Sequence, residues 1–337
     1  MKMKTSTATS ARAIIENPTP QKKIQFRKLW QTFGPATIFL AVFLLISAFN
    51  PNFLTSGGMG IVATLSAPIL MVALGQAIVL NVGSIDLSNA AMSLLGAILL
   101  ALALPNFGVT SPIVILLITT AFGIFNGFFV AYTKVPSFAL TLGTLGIFQS
   151  GALVFSNATA VYVSDNKDFL GHLHTTKLAG APTTFFIGLA MAVILWFVLR
   201  YTKVGRGMTA MGLNETGAVY SGLKNRGLKV VAFGISGFMS GLGSLVIIAQ
   251  SGSASPNGLG SDLLLPGIAA AIVGGTSILG GSTNPINVVF GALTVSMIPI
   301  ANAVLGVNAQ AQSLVYGLAI ISIAALMLNG SRSGIVK

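Results

Sequence analysis

The sequence predicts an all-α, polytopic integral membrane protein with about ten transmembrane helices and both termini in the cytoplasm. Its composition is 54% hydrophobic and only 7% charged, whereas soluble domains carry about a quarter charged residues because their surfaces face water. Apolar runs of nearly spanning length recur along the chain, and basic residues gather in clusters between them. Together these observations indicate a surface that faces lipid.

Ten apolar runs approach the length of about 20 residues that a helix needs to cross the hydrocarbon core. They lie at 33–49, 59–81, 87–104, 111–131, 137–156, 183–201, 229–250, 264–279, 286–305 and 311–329. Turn-forming segments such as Asn50-Pro51 and Asn284-Pro285 separate them. We therefore expect a membrane domain over 31–331, flanked by a basic cytoplasmic tail at 1–30 and a short cytoplasmic tail at 332–337.

The basic residues determine the predicted orientation. With ten crossings, 16 of the 18 basic residues lie on the side of the N-terminus, and Lys167 and Lys177 lie on the other. Cytoplasmic loops retain Lys and Arg, so both chain ends and the inner loop at 200–229 are predicted to be cytoplasmic. This clustering also argues against nucleic-acid binding as the origin of the net charge of +12. The chain has no cysteine, which excludes disulfides and thiolate metal sites.

The inner loop contains the signals of a short helix. Asn214 is a favourable N-cap, Glu215 suits the positive end of the helix dipole, and Gly222 is suited to end the helix. Gly212 and Gly222 would bound about two turns along the membrane surface. The loop is either a rigid functional element or an ordinary basic loop anchored at lipid headgroups.

Asp86 is the only acidic residue near membrane depth in the first half of the chain. A charge at the bilayer centre costs about 2.5–3.5 kcal/mol, so this side chain should be paired, near a helix end or facing water. It belongs to a gate or pathway, to a cap of the following helix together with Ser84 or Ser88, or to both. The glycine blocks at Gly83 and 274–281 interrupt predicted helices and serve either gating or close helix packing.

Other polar residues have two interpretations each. Polar side chains on the apolar spans either line a solute path or form hydrogen bonds between helices: Gln76, Asn126, Thr141, Thr144, Gln149, Gln250 and Asn302. In the outer loop at 157–182, His172 and His174 are two residues apart without a firm third ligand. That spacing favours a solvated loop over a metal site.

Four blocks of sequence resemble, in order, the motifs of permeases for ribose-type ABC sugar importers. They are 83–88 (Gly-Ser-Ile-Asp-Leu-Ser), 126–127 with 135–138 and 141–144, 205–206 with 212–223, and the glycine block 274–281. The resemblance extends from about residue 60 to residue 330. Departures occur at Gly217, where alanine is usual, at Asn89-Ala90, and at Leu264 and Pro266, where several members carry acidic residues. These departures leave the identity of the solute open.

The resemblance implies the membrane-spanning permease subunit of an ATP-binding cassette importer for a monosaccharide or similar polyhydroxylated solute, in a bacterial cytoplasmic (inner) membrane. It implies a separate cytoplasmic ATP-binding subunit that holds ATP and magnesium, a periplasmic or surface solute-binding protein, and a second permease chain, identical or different. The chain itself is expected to catalyse no reaction and to hold no cofactor or metal. It contains no G-x-x-x-x-G-K-[ST] phosphate loop.

The resemblance also implies roles for particular residues. We call 205–223 the coupling segment, because its counterpart in the family contacts the ATPase. The coupling residues are Gly205, Arg206, Gly212, Asn214, Glu215, Ala218, Gly222 and Leu223. The residues expected along the translocation path or gate are Asp86, Ser88, Asn126, Thr141, Thr144, Gly274, Gly275 and Thr276.

Two alternatives stay open. A non-ABC secondary transporter of small polar solutes would normally couple through several ionisable residues within the membrane, whereas Asp86 is nearly alone. An ABC permease for a non-sugar solute, such as a branched-chain amino acid or a nucleoside, is the second alternative, and a furanone-like signalling sugar is a further candidate solute.

Overall fold

A computed structural model of the chain describes residues 20–133, 135–165, 168–257, 262–304, 306 and 308–331. The predictions for Lys134, for Lys167 and for the tails at 1–19 and 332–337 lie outside these residues. The helices of the described part are α1 (Pro20–Phe49), α2 (Ser56–Asn81), α3 (Asn89–Phe107), α4 (Ser111–Tyr132), α5 (Ser137–Phe155), α6 (Asp168–Thr175), α7 (Thr183–Tyr201), α8 (Lys203–Leu213), α9 (Glu215–Tyr220), α10 (Asn225–Ser251), α11 (Leu264–Val273), α12 (Pro285–Val304) and α13 (Gln312–Ser331). The strands are β1 (Val161–Tyr162), β2 (Lys177–Leu178), β3 (Ala181–Pro182) and β4 (Ser253–Ala254).

The prediction of a mostly helical membrane protein is confirmed. Six helical stretches among the described residues are long and apolar enough to cross a membrane, and one of them, Asn89–Tyr132, contains both α3 and α4. Shorter apolar helices cover Phe33–Phe49, Leu264–Val273 and Gln312–Ser322. A helix therefore lies within each of the predicted apolar runs.

The run predicted at 264–279 is wrong at its C-terminal end. Its helix, α11, stops at Val273 because Gly274 is the C-cap and Gly275 takes a left-handed conformation with φ +85°. The 10 residues of α11 extend about 15 Å at 1.5 Å per residue. That is about half of the hydrocarbon thickness of about 30 Å.

Helix α2 lies at the centre of the fold. Helices α7, α10, α11 and α12 pack around it, and Leu70, Met71 and Leu74 on α2 are fully buried. Among the described helices, α4 and α10 share the most extensive contact, and glycines lie within it. A Cβ built on Gly237 would lie 3.0 Å from the Cα of Gly123 and would overlap a backbone carbonyl of α4. Such contacts bring two helix backbones together, which is how membrane helices pack without a hydrophobic driving force.

The loop predicted at 157–182 contains short helical and strand elements among its described residues. Strand β1 pairs with β4 and strand β2 with β3, both antiparallel, and α6 buries Leu170. His172 and His174 lie in the last turn of α6. Burial, followed by the positive charge of Lys177, lowers the pKa of His174. No group of three metal-ligating side chains occurs within the residues that the structure covers.

Candidate functional site

The predicted break between α2 and α3 is confirmed, and α5 holds it in place. Gly83 has φ +73°, a left-handed conformation that ends α2. The backbone N–H of Ile85 donates to the Ser137 hydroxyl at 3.0 Å, and that of Leu87 donates to the Thr141 hydroxyl at 3.1 Å. Side chains of the first turns of α5 thus satisfy backbone groups that the break removes from helical bonding.

Asp86 is fully buried and accepts three hydrogen bonds. The backbone N–H and the hydroxyl of Ser88 donate to Oδ1 at 3.0 and 2.7 Å, and the hydroxyl of Ser236 on α10 donates to Oδ2 at 2.9 Å. In the described part of the chain no basic side chain forms an ion pair with this carboxylate. Asp86 therefore joins the break between α2 and α3 to the middle of α10 through the hydroxyl group of Ser236.

Ser88 links Asp86 to α4. The carboxamide Nδ2 of Asn126 donates to the Ser88 hydroxyl at 2.8 Å, and that hydroxyl in turn donates to Asp86. Ser88 is the N-cap residue of α3, but its side chain makes no capping bond. The Ser88 hydroxyl therefore does not cap α3, because it bonds to the carboxylate instead. The predicted cap is supplied by Asp86, whose Oδ1 accepts the backbone N–H of Ser88 at the start of the helix.

The other predicted path residues of the first half are also buried. Thr141 is fully buried and donates to backbone carbonyls, including that of Ser137 at 2.9 Å. Thr144 lies one turn further along α5, where its hydroxyl donates to the carbonyl of Thr141 at 3.3 Å. Asp86, Ser88, Asn126 and Thr141 consequently surround one break, within hydrogen-bonding reach of its backbone or of one another. Their role in solute passage stays a prediction, since each bonds within the subunit.

The second break, between α11 and α12, contains Gly274, Gly275 and Thr276. A Cβ on Gly274 would lie 2.6 Å from the Cα of Val288 on α12, so only glycine allows this approach. The hydroxyls of Thr276 and Thr283 share a hydrogen bond of 2.7 Å, which closes the loop between the two helices. Gly274, Gly275 and Thr276 of the predicted gate thus lie at a different helix break from the one that contains Asp86.

The coupling segment forms the short helix that the sequence predicts. Asn214 is the N-cap of α9, and its Oδ1 accepts the backbone N–H of Gly217 at 2.9 Å. Gly222 has φ +80°, and the N–H of Leu223 returns to the carbonyl of Ala218 at 3.1 Å. This pair of features is a Schellman C-cap. Both ends of α9 are therefore fixed by local bonds.

One ion pair and one hydrogen bond attach α9 to α10. The Nζ of Lys229 lies 2.6 Å from Oε1 of Glu215, and Nδ2 of Asn225 donates to the backbone carbonyl of Glu215 at 3.0 Å. At the tip of the segment Tyr220 is 88% exposed and Val219 is 54% exposed. An apolar surface on a polar loop is typical of a contact with another protein.

Helix α8, which the sequence did not predict, precedes α9. Thr202 is its N-cap and accepts the N–H of Gly205 at 3.1 Å. A Cβ on Gly205 would overlap the backbone of Val198 and Leu199, so this glycine permits the tight turn from α7. The Nη1 of Arg206 donates to the carbonyl of Tyr201 at 3.1 Å.

The coupling segment touches both helix breaks through four glycines, Gly83, Gly212, Gly280 and Gly281, which we call the glycine junction. The N–H of Gly281 donates to the carbonyl of Asn81, the last residue of α2, at 2.9 Å. A Cβ on Gly280 would lie 2.9 Å from both the Cα of Gly83 and the carbonyl oxygen of Gly212. A Cβ on Gly212 would overlap the carbonyl oxygen of Asn81 and the amide nitrogen of Gly281. Three distant segments therefore meet with their backbones in direct contact.

Long apolar helices, buried breaks and a rigid helix on a basic loop define a polytopic membrane transport protein. Residues 58–324 match the family described as the branched-chain amino acid transport system permease component, and the chain belongs to this family. It is a multi-pass permease subunit of the ABC importer type in a bacterial inner membrane, with a transport role and not an enzymatic one.

Several curated proteins are similar over most of their length. The ribose import permease RbsC of Haemophilus influenzae is 31% identical over 292 residues, covering 84% of this chain and 90% of that protein. The D-allose transport system permease AlsC of Escherichia coli K12 is 32% identical over 311 residues, covering 91% and 94%. The autoinducer 2 import permease LsrC of Salmonella typhi is 28% identical over 302 residues, covering 88% and 86%. The resemblance to ribose-type permeases is thereby confirmed, and no solved structure matches the chain.

Proposed function

We propose that this permease imports a monosaccharide or a similar polyhydroxylated solute, driven by ATP hydrolysis on a separate cytoplasmic subunit that holds ATP and magnesium. A solute-binding protein outside the membrane would deliver the solute, and a second permease chain would complete the pathway. The names of the relatives, which import ribose, allose and autoinducer 2, support this class of solute. The observation that carries the proposal is the contact of the coupling segment with both helix breaks at the glycine junction.

The proposed topology has ten crossings, formed by α1 to α5, α7 and α10 to α13, with both termini in the cytoplasm. Aromatic side chains at the proposed inner ends of helices support this orientation, because Trp and Tyr are enriched at membrane interfaces. Tyr132 ends α4 and lies under the Arg226 guanidinium at 5.2 Å. At the end of α7, Trp196 and Tyr201 contact edge to face with ring centres 5.7 Å apart.

The coupling segment would transmit ATPase movement by two routes. Its exposed tip at Val219 and Tyr220 would dock on the ATPase, and Glu215 would pull on α10 through Lys229. Ser236 follows Lys229 by two helical turns and carries the hydrogen bond to Asp86. The second route is the glycine junction, where backbone contact leaves no flexible side chain to absorb a displacement.

Reconstitution tests this proposal directly. The permease, its ATPase and its binding protein would be placed in proteoliposomes, and uptake of labelled ribose, allose and autoinducer 2 would be measured. We expect uptake of a polyhydroxylated solute only with ATP and all protein components. Uptake by the permease alone, driven by an ion gradient, would contradict the proposal and establish a secondary transporter. Uptake of amino acids in preference to sugars would retain the importer but refute the solute class.

A further inference from the structure

A cavity of about 650 Å³ opens between the C-terminal end of α7, α8 and the N-terminal end of α12. Its polar lining consists of Arg200, Arg206, Thr209, Thr283 and Asn284, and Trp196 lies at its apolar side. None of the gate or path residues discussed above lines it. The cavity is large enough for a small headgroup, since ligand pockets generally measure about 300–1,000 Å³.

The charge in this cavity is positive and is not neutralised by the protein. Arg200 and Arg206 are exposed, and the described residues include no carboxylate within ion-pair distance of either. The acid of the coupling segment, Glu215, is paired with Lys229 instead. An anion with oxygen acceptors fits this arrangement.

The apolar side of the cavity also restricts the class of ligand that fits. Leu199 and Leu213 line it beside Trp196, and Leu213 is 71% exposed. The Trp196 ring is half-buried, and Tyr201 packs against its edge. A small soluble anion would gain nothing from contact with an exposed leucine and an indole ring. The acyl chains of a lipid would pack against these apolar groups.

We propose that this cavity binds the phosphate headgroup of an anionic phospholipid from the inner leaflet, with Arg200 and Arg206 on the phosphate and Trp196 beside the acyl chains. The inference rests on the proposed topology, which puts the ends of α7 and α8 at the cytoplasmic surface. Basic pockets between membrane helices on this side are the usual sites for anionic headgroups. The bound lipid contacts α8 at Arg206 and Thr209, and Thr209 accepts a hydrogen bond of 3.2 Å from Asn81 beside the glycine junction. The lipid therefore supports the wall of the junction.

Fluorescence quenching in nanodiscs tests the site. The chain has two tryptophans, so the full-length protein with Trp30→Phe reports from Trp196 alone. Phosphatidylglycerol with brominated acyl chains, diluted in phosphatidylcholine, is compared with brominated phosphatidylcholine at the same mole fraction. We expect stronger quenching by the anionic lipid. Arg200→Gln and Arg206→Gln should each lower that preference about fivefold, because a basic residue near an anionic surface contributes about 1 kcal/mol.

A matched control separates the cavity from the general surface charge. Arg226→Gln removes the same charge from the same face, where the guanidinium lies over Tyr132 outside the cavity, and the preference should persist. Equal quenching by both lipids, or an equal loss in Arg226→Gln, would overturn the proposal. Relief of quenching by inorganic phosphate at constant ionic strength would also overturn it and assign the site to free phosphate. The assay uses neither ATP nor solute, so its outcome is independent of the transport tests.

Discussion

Gly212→Ala adds a single methyl group at the glycine junction. The new Cβ would overlap the Asn81 carbonyl oxygen and the Gly281 amide nitrogen and would lie 3.0 Å from the Asn81 carbonyl carbon. All three atoms belong to the backbone, so no side chain can rotate away. Overpacking of this kind costs about 1–3 kcal/mol.

Gly227→Ala is the matched control for this substitution. Gly227 lies in α10 on the same face of the protein, and a Cβ there would meet nothing within 4 Å. Alanine replaces glycine in a helix in both variants, so the gain in helix propensity of up to about 1 kcal/mol is similar in each. The difference in stability between the two variants should therefore be about 1–3 kcal/mol, the overpacking cost alone.

The assay has two readouts, thermal unfolding of the purified permease and ATP-dependent uptake in proteoliposomes. We expect Gly212→Ala to unfold at a lower temperature than Gly227→Ala and to lose most of its uptake, because α8 is pushed away from the break after α2. Gly227→Ala should transport normally. Normal uptake and unchanged unfolding in Gly212→Ala would refute the close backbone contact and, with it, this route of coupling.

Three further predictions address other parts of the molecule. Asp86→Asn should still transport, but more slowly than the wild type. Asp86→Ala should lower both expression and uptake, because it leaves two buried hydroxyls without their acceptor, at a cost of about 1–3 kcal/mol each. Full activity of the alanine variant would remove this carboxylate from the site. Glu215→Arg should abolish uptake and loosen ATPase association in a permease that still inserts, and combining it with Lys229→Glu should restore part of both; uptake that survives the single reversal refutes the coupling role. Reporters fused at Asn225 and Asp168 should read cytoplasmic and extracytoplasmic respectively, and a shared side would contradict the ten-crossing topology.

The elements that sequence predicts well are those determined by local chemistry. Asn214 and Gly222 bound α9 because a cap side chain and a left-handed residue act within a few positions of themselves. The break at Gly83–Ser88 is predictable for the same reason. The end of α11 at Val273 also follows from local chemistry, since the glycine block 274–281 predicts an interruption there; only the predicted bound at 279 extends too far.

The parts that sequence does not predict depend on long-range contacts. Asp86 and Ser236 are 150 positions apart, and each alone has a local explanation. The glycine junction combines three segments whose glycines look alike in a chain with 39 of them. Helix α8 is not predicted from the sequence. Its buried face carries Met208 and Met211, and the helices against which this face packs can be identified only from the fold.

The short length of α11 has a consequence for where the permeability barrier lies. Its inner end adjoins the glycine junction, so in the proposed topology its outer end stops about 15 Å below the outer boundary of the hydrocarbon. Irregular backbone at that depth requires protein or water around it, and a cavity of about 470 Å³, lined in part by Gln149, Asn257 and Asp262, lies beside the start of α11. In the proposed importer, this cavity would let water and solute arriving from outside enter part of the membrane thickness. The barrier that ATP hydrolysis opens would then lie in the inner half, the layer that contains Asp86 and the glycine junction.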